Sequence, residues 1–497
     1  MEKQNSLKKK TISGLLWSFG DLVGNQGGQF IIQIVLARML LPEDFGLIGM
    51  ILIFVAISNS ITDSGFTQAL IREQKVTQTD YSTVFYFNIA VSLFIYAVLY
   101  LAAPAISSFY SQPELTMLIR VLSIGVIINS FAIIPRAMFT KEVNFKVQAK
   151  VNLTASVASG VLAVGAAFAG LGVWSLVIRQ LTMNAVQSLF LSLSRKWLPS
   201  LAFSWKSFKR LFGFGWKLLV SGLIDTIYNN IFFLIIGKQY SARSLGFYTN
   251  ASKFSDVAAQ TLTATLQRVT YPVLSSLQED ENRIKQAFRK IIKLSGFIIF
   301  PIMAGIAAIA GPLIHLVLGE QWAGMVIYFQ LLCIAGMLYP IHALNLNILQ
   351  VRGRSDLFLY LEIAKMVVLS LLIFLAIWFK LGIMGLVGVI VLDSYVALYF
   401  NTYFSAREIS YSIKEQIKDL LPMYLVSLAM GFAVYMAGEY LFESDLWKLL
   451  FQISLGIALY IAISKLLRIQ ELTIIFDLLK PMLKKISFAK SSDIKKV

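Results

Sequence analysis

The sequence predicts an all-α, polytopic membrane protein of about fourteen transmembrane helices, built as two pseudo-symmetric six-helix lobes and a C-terminal helix pair. Three observations predict it. Of 497 residues, 57% are hydrophobic and only 14% charged, a balance outside that of soluble domains. Apolar runs of about 20 residues, enough to cross a hydrocarbon core of about 30 Å as helices, recur along the chain. The first and second halves also share short motifs at nearly equal offsets.

The first candidate span, 12–37, follows "KKK" but carries Asp21, Asn25, Gln26 and Gln29 in its core with no small-residue cleavage pattern after it. It therefore reads as a retained helix and not as a signal peptide. Spans at 45–69, 82–107, 115–138, 151–170 and 172–193 complete a first group of six. The connection "SRKWLPSLAFSWKSF" at 194–208 divides the chain and, like "QEDENRIKQAFRK" at 278–290, is basic and partly amphipathic, as expected of a helix lying on an anionic leaflet. Spans at 212–237, 244–274, 294–312, 324–349, 357–379 and 382–404 form the second group, with Pro301 and Pro340 as expected kinks or breaks. Spans at 420–438 and 446–465 form the added pair. The expected domains are an N-lobe over 1–200, a C-lobe over 201–410, and a terminal pair with a basic tail over 411–497.

The net charge of +17 does not imply nucleic acid, because the position of the charges accounts for it. With both termini cytoplasmic, most Lys and Arg fall in inside segments, and outside loops hold only Arg38, Lys238, Arg243, Lys380 and Lys448. That asymmetry is the positive-inside rule and favours an even number of spans. The single cysteine, Cys333, lies in an apolar span and cannot form an intrachain disulfide.

The repeat aligns "LLPEDFGLIGMI" at 40–51 with "YSARSLGFYTNA" at 240–251, matching Gly46 to Gly246, and "LGVWSLV" at 171–177 with "LGIMGLV" at 381–387. An even number of spans per half keeps both halves in one orientation, which makes this a parallel repeat about an axis along the membrane normal.

Away from the span ends, twelve charged residues remain inside spans: Arg120, Arg179, Lys217, Lys253, Arg268 and Lys365, with Asp21, Asp63, Asp225, Asp256, Glu362 and Asp393. At roughly 3 kcal/mol each they could not all face lipid. Their spacing agrees. Lys217, Ser221, Asp225 and Asn229 follow one another at steps of four, and Thr249, Lys253, Asp256, Gln260, Thr263, Gln267 and Thr270 alternate steps of four and three. Each set keeps one helical face polar. Shorter stripes run through Ser18, Asp21, Asn25 and Gln29, and through Asn59, Asp63 and Thr67. These four spans are the first two of each half, so their stripes are expected to face one another across a water-filled cleft. For the uncharged members, helix packing is an equal reading, since an interhelical hydrogen bond contributes about 0.6 kcal/mol. Glu362 and Lys365 are placed to neutralise each other, Lys217 and Arg120 can snorkel to opposite surfaces, and Gly24, Gly28, Gly382, Gly385 and Gly388 read as close helix contacts. His315 and His342 stand apart from any metal-ligand spacing. No GxxxxGK[ST], HExxH or GxSxG occurs, and no catalytic constellation, metal or cofactor is expected.

"LARMLLPEDFGLIGM" at 36–50, "IIPRAMFTKEVNFK" at 133–146, "IIGKQYSARSLGFYTNASKF" at 235–254 and "YPVLSSLQED" at 271–280 together resemble the polysaccharide transporter branch of the multidrug, oligosaccharidyl-lipid and polysaccharide exporter superfamily, particularly flippases of the Wzx and teichuronic-acid types. The resemblance covers roughly 10–410. It implies two six-helix lobes in alternating access that carry a polyprenyl diphosphate-linked oligosaccharide from the cytoplasmic to the outer leaflet of a bacterial inner membrane. Implied partners are that lipid-linked sugar, membrane lipids and polysaccharide polymerase or export machinery, with no nucleic acid. Family members place titratable and cationic residues in the central cavity. The positions here that can take that role are Arg179, Lys217, Asp225, Asn229, Lys253, Asp256, Gln260 and Arg268, and analogy with related antiporters makes Asp21 a candidate for ion coupling. Rival readings are a cation-coupled multidrug antiporter of the same superfamily and a membrane polysaccharide polymerase or ligase; the short outer loops argue against the latter.

Overall fold

A computed structural model describes residues 24–477, with the side chains at 265, 268, 269, 355 and 359 outside that description. Every regular element among the described residues is helical. Two compact units divide the chain, Met1–Asn250 and Ala251–Val497.

The first unit holds α1 (24–39), α2 (Pro42–Asp63), α3 (Phe66–Arg72), α4 (Gln78–Tyr110), α5 (Leu115–Leu122), α6 (Ile124–Lys141), α7 (Phe145–Phe168), α8 (Trp174–Arg195), α9 (Trp205–Gln239) and the opening of α10 (Ala242–Ser276). The second holds the rest of α10, then α11 (Glu281–Ala308), α12 (Ala310–Leu318), a 3-10 turn (Glu320–Met325), α13 (Val326–Gly336), α14 (Tyr339–Val351), α15 (Ser355–Trp378), α16 (Gly382–Ile409), α17 (Ile413–Leu441) and α18 (Asp445–Leu466). Among the described residues, eleven helical stretches are long and apolar enough to cross a membrane. Of the other three expected spans, the first extends outside the described residues, and α8 and α10 are helices of 22 and 35 residues that carry too many polar side chains to count by hydropathy.

Four expected spans are broken. The span at 45–69 turns at Ser64 and Gly65, whose φ angles of 48° and 70° end α2 before α3 starts. The span at 115–138 divides at Ser123, which is the C-cap of α5 and the N-cap of α6 and whose hydroxyl bonds the Ile119 carbonyl. The span at 324–349 divides just before Pro340, which sits in the first turn of α14, where a missing N–H costs nothing. Pro301, expected to kink or break its helix, stands inside α11, and the span at 294–312 divides instead at Ile309, between α11 and α12.

The basic connections do not form separate surface helices as expected. Leu198 precedes a proline and so disfavours helix. The chain from 197 to 204 runs irregularly along α4, its Ser200 and Ser204 amides donating to Ser82 Oγ at 2.9 Å and Thr83 Oγ1 at 3.0 Å. Ser204 then caps α9 by accepting from Ser207 N at 3.2 Å. The second connection merges into α11, capped by Asp280.

Within the first unit the repeat makes contact with itself. A Cβ on Gly46 would strike the Ala242 carbonyl, and a Cβ on Gly246 would strike the Pro42 carbonyl. Gly49 faces Thr249, and Glu43 Oε1 lies 3.6 Å from Arg243 Nε. Residues related by the repeat therefore meet each other or each other's neighbours, as they must where a pseudo-twofold axis passes. Glycine is required at 46 and 246 because the two backbones touch. The base of α9 packs into a core of Phe66, Leu70, Val84, Ile134, Met138 and Leu211, and its Gly215 lies against the backbone of Ser64 and Gly65.

The second unit is tied at one end by ion pairs between α11 and α17. Lys285 reaches Glu415 at 3.2 Å, and Arg289 holds Asp419 through two bonds of 2.5 and 2.8 Å. Tyr411 donates to the same Asp419 at 2.6 Å; burial first, and this bond second, hold its phenol above the ordinary value. Lys293 reaches Glu471 at 2.6 Å, beyond α18.

Candidate functional site

Arg179 on α8 points into the first unit. Its Nη1 donates to Gln33 Oε1 at 2.6 Å and its Nη2 to the Gln29 carbonyl at 3.3 Å. Gln33, only 4% exposed, passes the chain on through Nε2 to Asn250 Oδ1 at 2.7 Å, and Gln29 donates to Asn25 Oδ1 at 3.0 Å. Among the described residues no carboxylate lies within ion-pair distance of this guanidinium, whose two acceptors are neutral. A guanidinium has five N–H donors, so it is positioned by neutral groups and keeps both charge and donors for a ligand.

Separate polar pairs lie along α2, α6, α7 and α8. Asn129 donates to Asn59 Oδ1 at 3.1 Å, Asn184 to the Gly125 carbonyl at 3.3 Å, and Gln187 to Asn152 Oδ1 at 3.2 Å. Asp63 accepts from Thr67 and interacts with Arg136. These groups are half-buried, and they form a polar seam through helices that are otherwise apolar. The stripes of α1 and α2 were expected to face those of α9 and α10. Apart from Gln33 and Asn250, their partners lie instead on α6 and α8, because α9 packs its glycines, not its polar face, against α2.

Lys217, Ser221, Asp225 and Asn229 are all exposed along α9, in company with Leu218, Val220, Ile224 and Ile227. Exposure there is nearly all round, so it does not single out the polar face. In α10, Asp256 accepts from Ser252 at 3.3 Å and from Gln260, and Lys253 and Gln260 are exposed. Asp256 and Asp393 both act on Tyr339. The side chain of Arg268, and all of Asp21 and Ser18, lie outside the described residues. Of the candidates, then, Asp256 and Gln260 bond each other, Lys217, Asp225 and Asn229 share one helix surface, and Arg179 sits in its own network.

Several expectations about secondary charges are resolved. Lys365 Nζ bonds Glu362 Oε1 at 2.6 Å, the neutralisation their spacing predicts. Arg120 stacks over Tyr100, 4.3 Å from the ring centroid. His342 is hydrogen-bonded to Ser394 at 3.1 Å. His315 is not isolated: it lies near Glu320 and Asp445. Between α3 and α9 a cavity of about 570 Å³ is lined by Arg72, Lys75, Arg210 and Glu73, with Arg210 held by the buried Asp80 at 2.6 Å.

Sequence reasoning missed Gln33, Asn250 and the α6 and α8 amides. Gln33 continues the Asn25, Gln29 stripe by one more step of four and could have been found. Asn250 could not, since its partner is 217 residues away.

A bundle of membrane-length helices with a polar seam inside it defines an integral membrane protein of the transporter kind. The chain belongs to the family described as "Polysaccharide biosynthesis protein", whose model matches residues 35–327. It is 25% identical to the teichuronic acid biosynthesis protein TuaB of Bacillus subtilis (strain 168) over 462 residues, 92% of this chain and 95% of that one. It is 26% identical to the lipopolysaccharide biosynthesis protein WzxC of Escherichia coli (strain K12) over 359 residues, 71% and 72% of the two chains. The fold is similar to that of the lipid II flippase MurJ in an inward closed conformation, with a TM-score of 0.73 at 16% identity over 92% of this chain and 98% of that one. The family resemblance and the exporter fold expected from the motifs are borne out.

Proposed function

We propose that this protein is a flippase, not an enzyme, which moves a polyprenyl diphosphate-linked oligosaccharide from the cytoplasmic to the outer leaflet for cell-surface polysaccharide biosynthesis. Lobes over 1–200 and 201–410 alternate access, and the chain lies in a bacterial cytoplasmic membrane with both termini inside. The observation that carries this reading is Arg179: a cation in a helix expected to span the membrane, held by Gln33 and the Gln29 carbonyl and paired with no described carboxylate. Such a charge is costly to bury unless it meets an anion in use.

The cargo's chemistry fits the seam. Its polyprenyl tail stays in lipid while its diphosphate and sugars need a hydrogen-bonding path across hydrocarbon. Arg179 offers planar, bidentate donors to a diphosphate, with Lys217, Lys253 and Arg268 as further cations and Asp225, Asn229, Asp256 and Gln260 as polar contacts for the sugar. The amides of Asn59, Asn129, Asn184 and Gln187 offer alternating donors and acceptors to hydroxyls. The basic cavity at Arg72, Lys75 and Arg210 lies on the cytoplasmic side by the charge rule and concentrates anions there. Gly46 and Gly246 bring the ends of α2 and α10, outer by the charge rule, into backbone contact. Asp21 remains the candidate for ion coupling. Export of polymer by cells carrying Arg179→Ala tests the assignment: loss of export with normal membrane levels supports it, and wild-type export removes Arg179 from the path. Drug sensitivity with normal polymer in a deletion strain would favour an antiporter.

A further inference from the structure

The geometry points to a divalent transition-metal site formed by His315, Glu320 and Asp445, which ties the C-terminal helix pair to the α12 corner of the second unit. His315 lies on α12, Glu320 opens the 3-10 turn that follows, and Asp445 opens α18. His315 Nδ1 is 3.7 Å from Glu320 Oε1 and 3.6 Å from Asp445 Oδ2, and one ligand atom from each residue falls within 4.8 Å of the others.

Those separations are too long for hydrogen bonds, so the three groups converge without satisfying one another. They do suit a shared ion. Donors about 2.0–2.2 Å from a tetrahedral metal lie roughly 3.3–3.6 Å apart. Among the described residues neither carboxylate has another cation within ion-pair distance, since Lys448, one turn on from Asp445, is engaged by Glu439 at 2.7 Å. The fold itself brings the residues together: Gly319 has φ 97°, a conformation that favours glycine, and there the chain turns between His315 and Glu320. Glu320 is 82% exposed on its side chain, so an ion can enter from water.

One imidazole nitrogen and two carboxylate oxygens, completed by water, form a mixed set that favours Zn²⁺ over Ca²⁺ or Mg²⁺, which prefer all-oxygen shells. The loops concerned are on the outer side by the charge rule, so the ion comes from outside the cell. Its effect is to clamp α18 to the end of α12.

The test uses full-length protein in detergent, stripped with a chelator and titrated calorimetrically with ZnCl₂ and, for contrast, CaCl₂. Wild type is expected to take one Zn²⁺ per chain and to gain melting temperature with it. His315→Gln, Asp445→Asn and the exposed Glu320→Gln should each weaken Zn²⁺ at least tenfold and abolish that gain, while melting like wild type without metal. Absence of Zn²⁺ uptake by wild type, equal uptake by all three variants, or Ca²⁺ binding as tight as Zn²⁺ would overturn the proposal. Should one variant melt early without metal, the other two decide.

Discussion

Arg179 shows how an uncharged neighbourhood can ready a charged group. Gln33 and the Gln29 carbonyl fix the guanidinium without cancelling its charge. A charge-assisted hydrogen bond contributes about 1.5–3 kcal/mol, so Arg179→Ala should lower transport about tenfold or more. Arg179→Lys should recover only part of it, because an ammonium cannot present the planar fork. Gln33→Leu, which removes the fixing bond and leaves Asn250 Oδ1 without its donor, should lower transport less than Arg179→Ala. A transport assay on the three variants, at matched membrane levels, checks the order. Half of this site was legible. Asn25 and Gln29 announce themselves by helical spacing, and Arg179 by its cost in a membrane helix. Their union was not legible, because spacing along one helix says which face is polar and never which distant helix it meets.

The helices were largely visible as apolar runs, and their interruptions were not. Ser64, Gly65 and Ser123 end helices inside apolar sequence, where hydropathy has no signal, whereas Pro340 did signal its break and Pro301 was absorbed into α11. The crossing of α2 and α10 is the element-level feature with the sharpest consequence. Gly46→Ala would drive a methyl group into the Ala242 carbonyl. Overpacking of this kind costs about 1–3 kcal/mol, and the two helices must separate to relieve it. Such a variant should expose cysteines placed at 43 and 243 to a water-soluble thiol reagent faster than the same cysteines in the Gly46 background; equal labelling would show that the crossing does not close the outer side. In the second unit, Arg289→Ala should cost about 1 kcal/mol, the upper range for a partly exposed pair, read as a lower melting temperature with transport preserved at permissive temperature.

The internal repeat read from the two motifs, Gly46 with Gly246 and their surroundings, becomes in the molecule a direct contact between repeat-related helices. The motifs were legible because backbone contact tolerates only glycine; that the two glycines touch needed the structure. Membership of the polysaccharide biosynthesis family and the polar seam bear on one central claim, that the chain passes an anionic, lipid-linked sugar through a membrane. Deleting the gene and analysing surface polymer together with lipid-linked sugars tests it most directly. The claim predicts loss of the polymer and accumulation of a polyprenyl diphosphate oligosaccharide accessible only from the cytoplasmic leaflet. Normal polymer with no accumulated intermediate, in a strain with no second transporter of this kind, would contradict it.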